Sequence, residues 1–311
     1  MFSQTERIDY IKMGENQPPI SVIIPTLNGD VTDLVDRLEN QSILPDDVCI
    51  VRGVRPNGRA RNLGVARVRQ ERKDSASHIL IFLDDDALPG NDDLVKNLIT
   101  PWINGSEDDQ EQIGITGTAR VLPEDANWFQ RRVATEIPRT VNPIPQQALE
   151  TNPPLEGYGH SLITTTCCAT LYSIYEQAGK FSERLTSGVD TDFFYRVRKN
   201  GYRFLMVPNA FVLHPAPDNL RSLLRKFFWY GIGYGQEAQR RPQQKIGPQL
   251  PSFFHRIIFL LAASLWVIPN IFLIYSFSYP RFEFGFRPLK AISTYAVAFG
   301  YTSAWWKGLE T

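Results

Sequence analysis

Ile79-Leu80-Ile81-Phe82-Leu83-Asp84-Asp85-Asp86 is the stretch whose reading decides the fold. Five apolar residues run without alternation and end in three carboxylates. That pattern is a strand buried on both faces, as in the interior of a parallel sheet. Adjacent carboxylates repel one another unless a cation sits among them. In an extended or turning backbone Asp84 and Asp86 project to one side and Asp85 to the other. Open α/β sheets bind ligands beyond the carboxyl ends of their strands, where this cluster falls. The residues therefore suit a hard, oxygen-preferring divalent cation with positions left open for phosphate oxygens. The plain alternative is a solvated turn, because Pro89-Gly90-Asn91-Asp92-Asp93 follows and can start a helix.

Upstream, Ser21 to Ile24 is another buried strand, closed by Pro25-Thr26-Leu27-Asn28-Gly29. Pro25 ends the ladder, and Asn28-Gly29 can supply a positive φ. The spacing of Leu34, Val35 and Leu38 predicts a helix over 31–41, and Asp47 to Val51 predicts the next strand. A polar loop with Arg52-Gly53 leads to Gly58-Arg59-Ala60-Arg61-Asn62-Leu63-Gly64, which opens a helix. Four arginines between 52 and 61, beside a helix N-terminus, suit a diphosphate; solvated surface arginines are the alternative. This β-α-β-α-β series implies a parallel sheet with right-handed crossovers.

Downstream, a helix is expected from Asp93 to Trp102, an acidic loop at 107–111 and a glycine-weakened strand at 113–121. From Glu124 to Gly159 the pattern loses its period, as in a functional loop or lid. Thr164 to Cys168 reads as a strand and Leu171 to Ala178 as a short helix. Gly188-Val189-Asp190-Thr191-Asp192-Phe193-Phe194 starts a helix for which Asp190 is a good N-cap, and Asn200-Gly201 stops it. Two short strands, 203–207 and 210–214, end at His214. A lone histidine at a strand end is more often packed than liganded; here it is one more donor near the cation site.

Composition limits the partners. Lysine plus arginine and aspartate plus glutamate number 33 each in 311 residues, so no global field points to nucleic acid. Three cysteines, two of them adjacent, give neither a disulfide framework nor a zinc spacing and fit a reducing compartment. Residues 1–19 carry no apolar run, so no cleaved signal is expected. The tail differs: Leu220 to Tyr234 is a basic aromatic helix of the kind that lies in a membrane interface. Residues 257–280 contain no charge; as a helix they would reach about 36 Å, enough for a bilayer core of roughly 30 Å. Ala291 to Trp306 is a second uncharged stretch, with Trp305, Trp306 and Lys307 as interface anchors. The bias of basic residues before 257 keeps the large domain on the cytoplasmic side. A hydrophobic hairpin covering the domain, or a homo-oligomer contact through the tail, is the alternative. The expected organisation is a catalytic domain over 1–218, a basic aromatic interfacial segment over 219–252 and a membrane-associated helical tail over 253–311.

In order and spacing, these motifs resemble the family 2 glycosyltransferases of GT-A fold, from about Ser21 to Pro217. The matching stretches are Ser21-Val22-Ile23-Ile24-Pro25-Thr26-Leu27-Asn28, Ala60-Arg61-Asn62-Leu63-Gly64, Phe82-Leu83-Asp84-Asp85-Asp86, Gly179-Lys180-Phe181-Ser182-Glu183, Gly188 to Arg196, and His214. The resemblance implies an α/β fold with a mostly parallel sheet sandwiched by helices, and a hydrophobic helical tail. It implies inverting, Mn2+- or Mg2+-dependent transfer from a nucleotide-sugar donor to a glycan, lipid-linked or cell-envelope acceptor. By the same resemblance Asp190 is the base, and Asp84, Asp86 and His214 face the metal. Pro25, Thr26, Asn28, Arg52, Arg61, Asp84 and Asp85 face the donor. Two places depart from the family pattern. Arg52-Gly53 stands where an aspartate usually contacts the nucleobase, and Val189-Asp190 stands for the usual Glu-Asp, with Asp192 a competitor for the base. No Gln-x-x-Arg-Trp sequence is present, which resembles transfer of one sugar rather than polymerisation. The rival readings are a membrane-anchored nucleotide-sugar or glycan binder without turnover, and a nucleotidyltransferase. The second would place a basic, glycine-rich loop directly after the first strand, where Pro25-Thr26-Leu27-Asn28 stands.

Overall fold

The computed structural model describes residues 6–72, 77–105, 112–137, 140–155, 161–276 and 281–307. Strand β4 (Ile79–Leu83) lies in the middle of a nine-stranded sheet and every one of its residues is buried. Its side chains alternate between two cores. Leu80 and Phe82 join one face, packed with Ile23, Phe181 and Phe193; Ile79, Ile81 and Leu83 join the other, packed with Leu34, Leu38 and Leu98. Each fully buried side chain of this kind contributes roughly 1.5–3 kcal/mol, which is why the run tolerates no polar residue until its end.

Beside β4 stand β2 (Ile20–Thr26) and β3 (Asp47–Arg52), both parallel in the order β3-β2-β4. They are joined by α1 (Thr32–Glu39) and α2 (Asn57–Glu71), one on each face. The expected β-α-β-α-β unit is therefore present. Beyond it the sheet is mixed rather than mostly parallel. Strands β8 (Cys167–Leu171) and β1 (Arg7–Lys12) pair antiparallel with β4 and β3. Strand β6 (Ile113–Val121) runs antiparallel to β8 and parallel to β9 (Arg203–Leu213). The short β5 (Leu88–Pro89) and β7 (Leu149–Glu150) pair antiparallel with β9. Helical crossovers join only β2, β3 and β4 in direct succession; the other parallel pair, β6 and β9, is joined through a long segment that includes the antiparallel β8.

Several boundaries move for local reasons. The two short strands expected at 203–207 and 210–214 are one strand, kinked where Asn209 takes φ +56° and the register against β6 shifts. The strand expected at 164–168 begins at Cys167. The aperiodic segment 124–159 holds a helix, α4 (Trp128–Glu136), started by a reciprocal cap between Asn127 and Gln130. The acidic loop 107–111, Pro138 and residues 156–159 lie outside the described residues. Helices α3 (Leu94–Ile103), α5 (Tyr172–Gln177) and α6 (Val189–Lys199) complete the α/β layer.

The tail folds onto that layer. Helix α7 (Leu220–Arg240) packs against α9 (Pro288–Lys307), with α8 (Phe253–Phe272) on the far side of α9. A Cβ on Gly231 would sit 2.1 Å from the Val297 carbonyl oxygen, and one on Gly300 2.0 Å from that of Phe228, so the α7–α9 approach requires both glycines. Helix α8 starts at Phe253 and stops at Phe272, short of the expected 280, and the small hairpin β10 (Leu273–Ser276) and β11 (Arg281–Phe284) follows. Residues 277–280 lie outside the described residues. Among the described residues α8 is the one helix long and apolar enough to cross a membrane. The second uncharged stretch forms α9, whose Ala291, Ala298, Tyr301 and Ala304 are buried.

Candidate active site

The site forms where β2, β3 and β4 end. Asp84 follows β4 directly, and its backbone N–H donates to the Thr166 carbonyl oxygen at 3.0 Å. Its Oδ1 accepts from Arg61 Nη2 at 2.7 Å. Burial pushes the Asp84 carboxyl up from its ordinary value, against the pull of Arg61, while Asp85 and Asp190 push it further. Asp85 turns the other way, as a strand end requires, and accepts from Thr26 Oγ1 at 2.5 Å; that hydroxyl in turn accepts from Gly29 N–H at 2.8 Å. A Cβ at Gly29 would lie 2.7 Å from Asp85 Oδ2, so a larger residue there would push the Asp85 carboxylate aside. Asp86 points to His214 at the end of β9, with Oδ1 3.5 Å from Nε2.

Arg61 is held by its neighbours in sequence. A Cβ on Gly58 would overlap the Ser182 carbonyl oxygen at 2.1 Å. Asn62 accepts from Phe181 N–H and Tyr175 Oη, and its amide donates to the Phe181 carbonyl and to Glu183. The first turns of α2 thus clamp the 181–183 loop and leave Arg61, 3 % exposed, facing Asp84. Its Nε is buried with no hydrogen-bond partner among the described residues.

The remaining sequence-named residues sit around this centre. Pro25 and Thr26 are buried at the end of β2 and Asn28 is exposed at its rim. Arg52 is already paired: Nε donates to Asp9 at 2.8 Å and Nη1 to the Gly29 carbonyl at 3.1 Å. Asp190 lies in the first turn of α6, but the N-cap is Gly188 at φ +72°, not Asp190. Asp190 Oδ1 accepts from Thr191 N–H at 2.9 Å, and the residue lines a cleft shared with His214, Lys226 and Tyr230. Asp192 is not available as a competing base. It is 4 % exposed, takes Arg196 on Oδ2 at 2.6 Å and is bonded by Arg241 on Oδ1. Breaking such a buried pair costs about 3 kcal/mol or more. Asp192→Asn is expected to lower stability by that amount in urea unfolding, while activity per folded molecule falls less than about tenfold.

A cation fits part of the expected ligand set. Two donors each ~2.1 Å from one ion stand ~3.0–3.5 Å apart at ordinary coordination angles, the spacing of Asp86 Oδ1 and His214 Nε2. His214 is held neutral, its pKa down to about 3 through burial and the nearby Lys226 and Arg120. Neutral imidazole is the ligating form. Asp86 is pushed up to about 6, by desolvation first and then by Asp84, against Lys226. Arg61 takes Oδ1 of Asp84 and leaves its Oδ2 open. No group of three such side chains is spaced to hold a metal among the described residues. Asp86 and His214 are the two donors spaced for one ion, and oxygens of a ligand would have to fill the rest.

One wall of the cleft escaped sequence reading. It is α7, which presents Lys226, Phe227, Tyr230 and Tyr234 inward. Lys226, Tyr230 and Tyr234 fall at a spacing of four, but the helix reads equally as a membrane-interface segment. On the same helix Glu237 is 3 % exposed beside Arg241 and Asp192. Burial raises its pKa from 4.5 to about 7. The fold favours the protonated acid, so its contribution is complete below about pH 4.5 and is lost as pH rises through 7. Glu237→Gln is expected to flatten thermal stability between pH 5 and 8 and to stabilise the protein at pH 8 by about 3 kcal/mol.

No protein-family model and no curated protein sequence matches the chain. Solved structures do. A mannosyltransferase, PcManGT from Pyrobaculum calidifontis in complex with GDP-Man and Mn2+, is 14% identical over 93% of this chain and 87% of its own, with TM-score 0.50. TarS from S. aureus in complex with UDP is 13% identical over 80% and 78%, with TM-score 0.43. A197 from STIV is 13% identical over 61% and 82%, with TM-score 0.39. At these identities the similarity is one of fold, and the first of them carries it: a mixed α/β architecture like that of the mannosyltransferase.

Proposed function

We propose that the chain is an inverting, non-processive glycosyltransferase that moves one sugar from a nucleoside diphosphate to an acceptor hydroxyl. The observation that carries this reading is the charged group at the strand ends: Arg61 on Asp84, Asp86 beside His214, and Asp190 within electrostatic reach of Asp84, with His214 and Asp190 lining one cleft. Thr26, Asp85 and Gly29 form a fixed ledge on which the nucleoside rests. Arg61, with an unpaired buried N–H, and Lys226 bring positive charge to the diphosphate. Asp86 and His214 would hold a divalent cation, Mn2+ or Mg2+, and the cation would supply Lewis-acid neutralisation of the diphosphate charge. Asp190 Oδ2 takes the proton of the acceptor hydroxyl as that oxygen attacks the anomeric carbon. The diphosphate leaves from the opposite face with the electrons of the broken C–O bond, so the configuration inverts.

Incubation with a panel of nucleotide sugars and Mn2+ tests the reading. Free nucleoside diphosphate is the expected product. Pyrophosphate from a nucleoside triphosphate and a sugar phosphate would replace it with nucleotidyl transfer, and binding with neither product would make the chain a binder.

A further inference from the structure

Helix α8 has the length and composition of a membrane crossing, about 30 Å at 1.5 Å per residue. It also has the exposure: Phe254, Ile258, Leu265 and Ile268 are each at least 65 % open. Its two ends, however, are tied to the same folded layer. Before it, the Pro248 carbonyl accepts from Tyr301 Oη at 2.7 Å, Gln249 Nε2 donates to the Ala238 carbonyl at 3.1 Å, and Leu250 is buried against Tyr234 on α7. After it, the Phe286 carbonyl accepts from Arg132 Nη2 at 3.3 Å. Glu136, 1 % exposed on α4, accepts the backbone N–H of Leu289 and Lys290 at 2.6 and 3.3 Å. Along its length α8 follows α9, with Phe259 against Tyr301 and Ser264 against Tyr295, and α9 is seated on α7 through glycine contacts. A helix moored at both ends to one domain, and flanked by that domain throughout, runs along its surface. It does not leave it.

We propose that α8 lies in the plane of one leaflet of a lipid bilayer, so that the protein sits on one side of the membrane and no segment of the tail crosses it. A bilayer surface is the occupant because the face is apolar over its whole length and rimmed as an interface requires. No charged residue occurs from 257 to 272. The outward residues of α9 at sevenfold spacing, Ile292, Phe299 and Trp306, continue the apolar band. Exposed Arg221, Arg225 and Trp229 form a basic and aromatic border on α7. A cation border matches anionic headgroups and would have no purpose beneath a second copy of the same apolar face.

Cysteine labelling of the full-length chain in sealed membrane vesicles tests this, because the three native cysteines are buried. Asp33→Cys, on the exposed face of α1, reports the catalytic side; Phe286→Cys reports the turn between α8 and α9. With a membrane-impermeant maleimide the two are expected to label together, from the same face of the vesicle. Labelling of Phe286→Cys from the face opposite Asp33→Cys, or from neither face, overturns the proposal. A spin label at Leu265→Cys is expected to be several-fold more accessible to lipid-dissolved oxygen than to an aqueous nickel chelate. Preference for the nickel chelate overturns it as well. So does shielding from both reagents in a protein of dimeric mass, which would assign the face to a second copy. None of these readouts depends on catalysis, so their failure leaves the proposed reaction standing.

Discussion

Asp190→Asn is expected to lower turnover by about a thousandfold while leaving donor affinity within about threefold of wild type. The amide keeps the shape of the carboxylate and can still accept from Thr191 N–H, so the first turn of α6 is not disturbed. What it cannot do is take a proton. An aspartate is a weak base near neutral pH and works only when close and aligned, so the whole effect should fall on kcat and little on KM. Donor affinity by calorimetry and initial rates on the same preparation separate the two. Turnover near the wild-type value would remove Asp190 from the role, and with Asp192 committed to Arg196 and Arg241 the base would have to come from elsewhere in the cleft.

Asp86→Ala is expected to abolish the part of donor binding that depends on Mn2+, a loss of about a hundredfold or more in affinity. The side chain makes no contact that supports the fold: it is the most exposed of the three acidic residues, and its near partner is His214 Nε2. The variant should therefore melt within a few degrees of wild type, since an exposed side chain is removed. Titration of Mn2+ at fixed nucleoside diphosphate reads the loss directly. An unchanged Mn2+ dependence would move the cation away from the Asp86–His214 pair.

Local pattern carried most of the first half of the chain. The β2, β3 and β4 strands, their crossover helices and the acidic end of β4 were legible because each is a contiguous signal of burial or charge. The antiparallel half was not, because pairing of β8 with β4 is set by partners about 90 residues apart, and no window on the sequence contains both. Asp190 was placed in the right helix but given the cap that Gly188 supplies; a positive φ at glycine competes with an aspartate cap and leaves no mark in the pattern. Arg61 and Asn62 could be seen as a motif, yet their division of labour, one on Asp84 and one on the Phe181 loop, is a three-dimensional fact. The larger gap concerned α7 and the tail. An amphipathic basic helix has the same composition whether its inner face meets a cleft or a lipid headgroup. An apolar helix of 20 residues likewise has the same composition whether it crosses a bilayer or lies on it. The in-plane proposal rests on the tethers from Glu136, Arg132 and Tyr301, and each joins residues more than 50 positions apart.

The central claim is that the acidic end of β4 and His214 together receive a cation bound to a nucleoside diphosphate. An anomalous difference map from crystals grown with Mn2+ and a nucleoside diphosphate measures this most directly. A single strong manganese peak is expected within bonding distance of Asp86 and His214, with the diphosphate beside it and beside Arg61. A well-ordered nucleotide elsewhere on the protein, with no manganese at that pair, would contradict it.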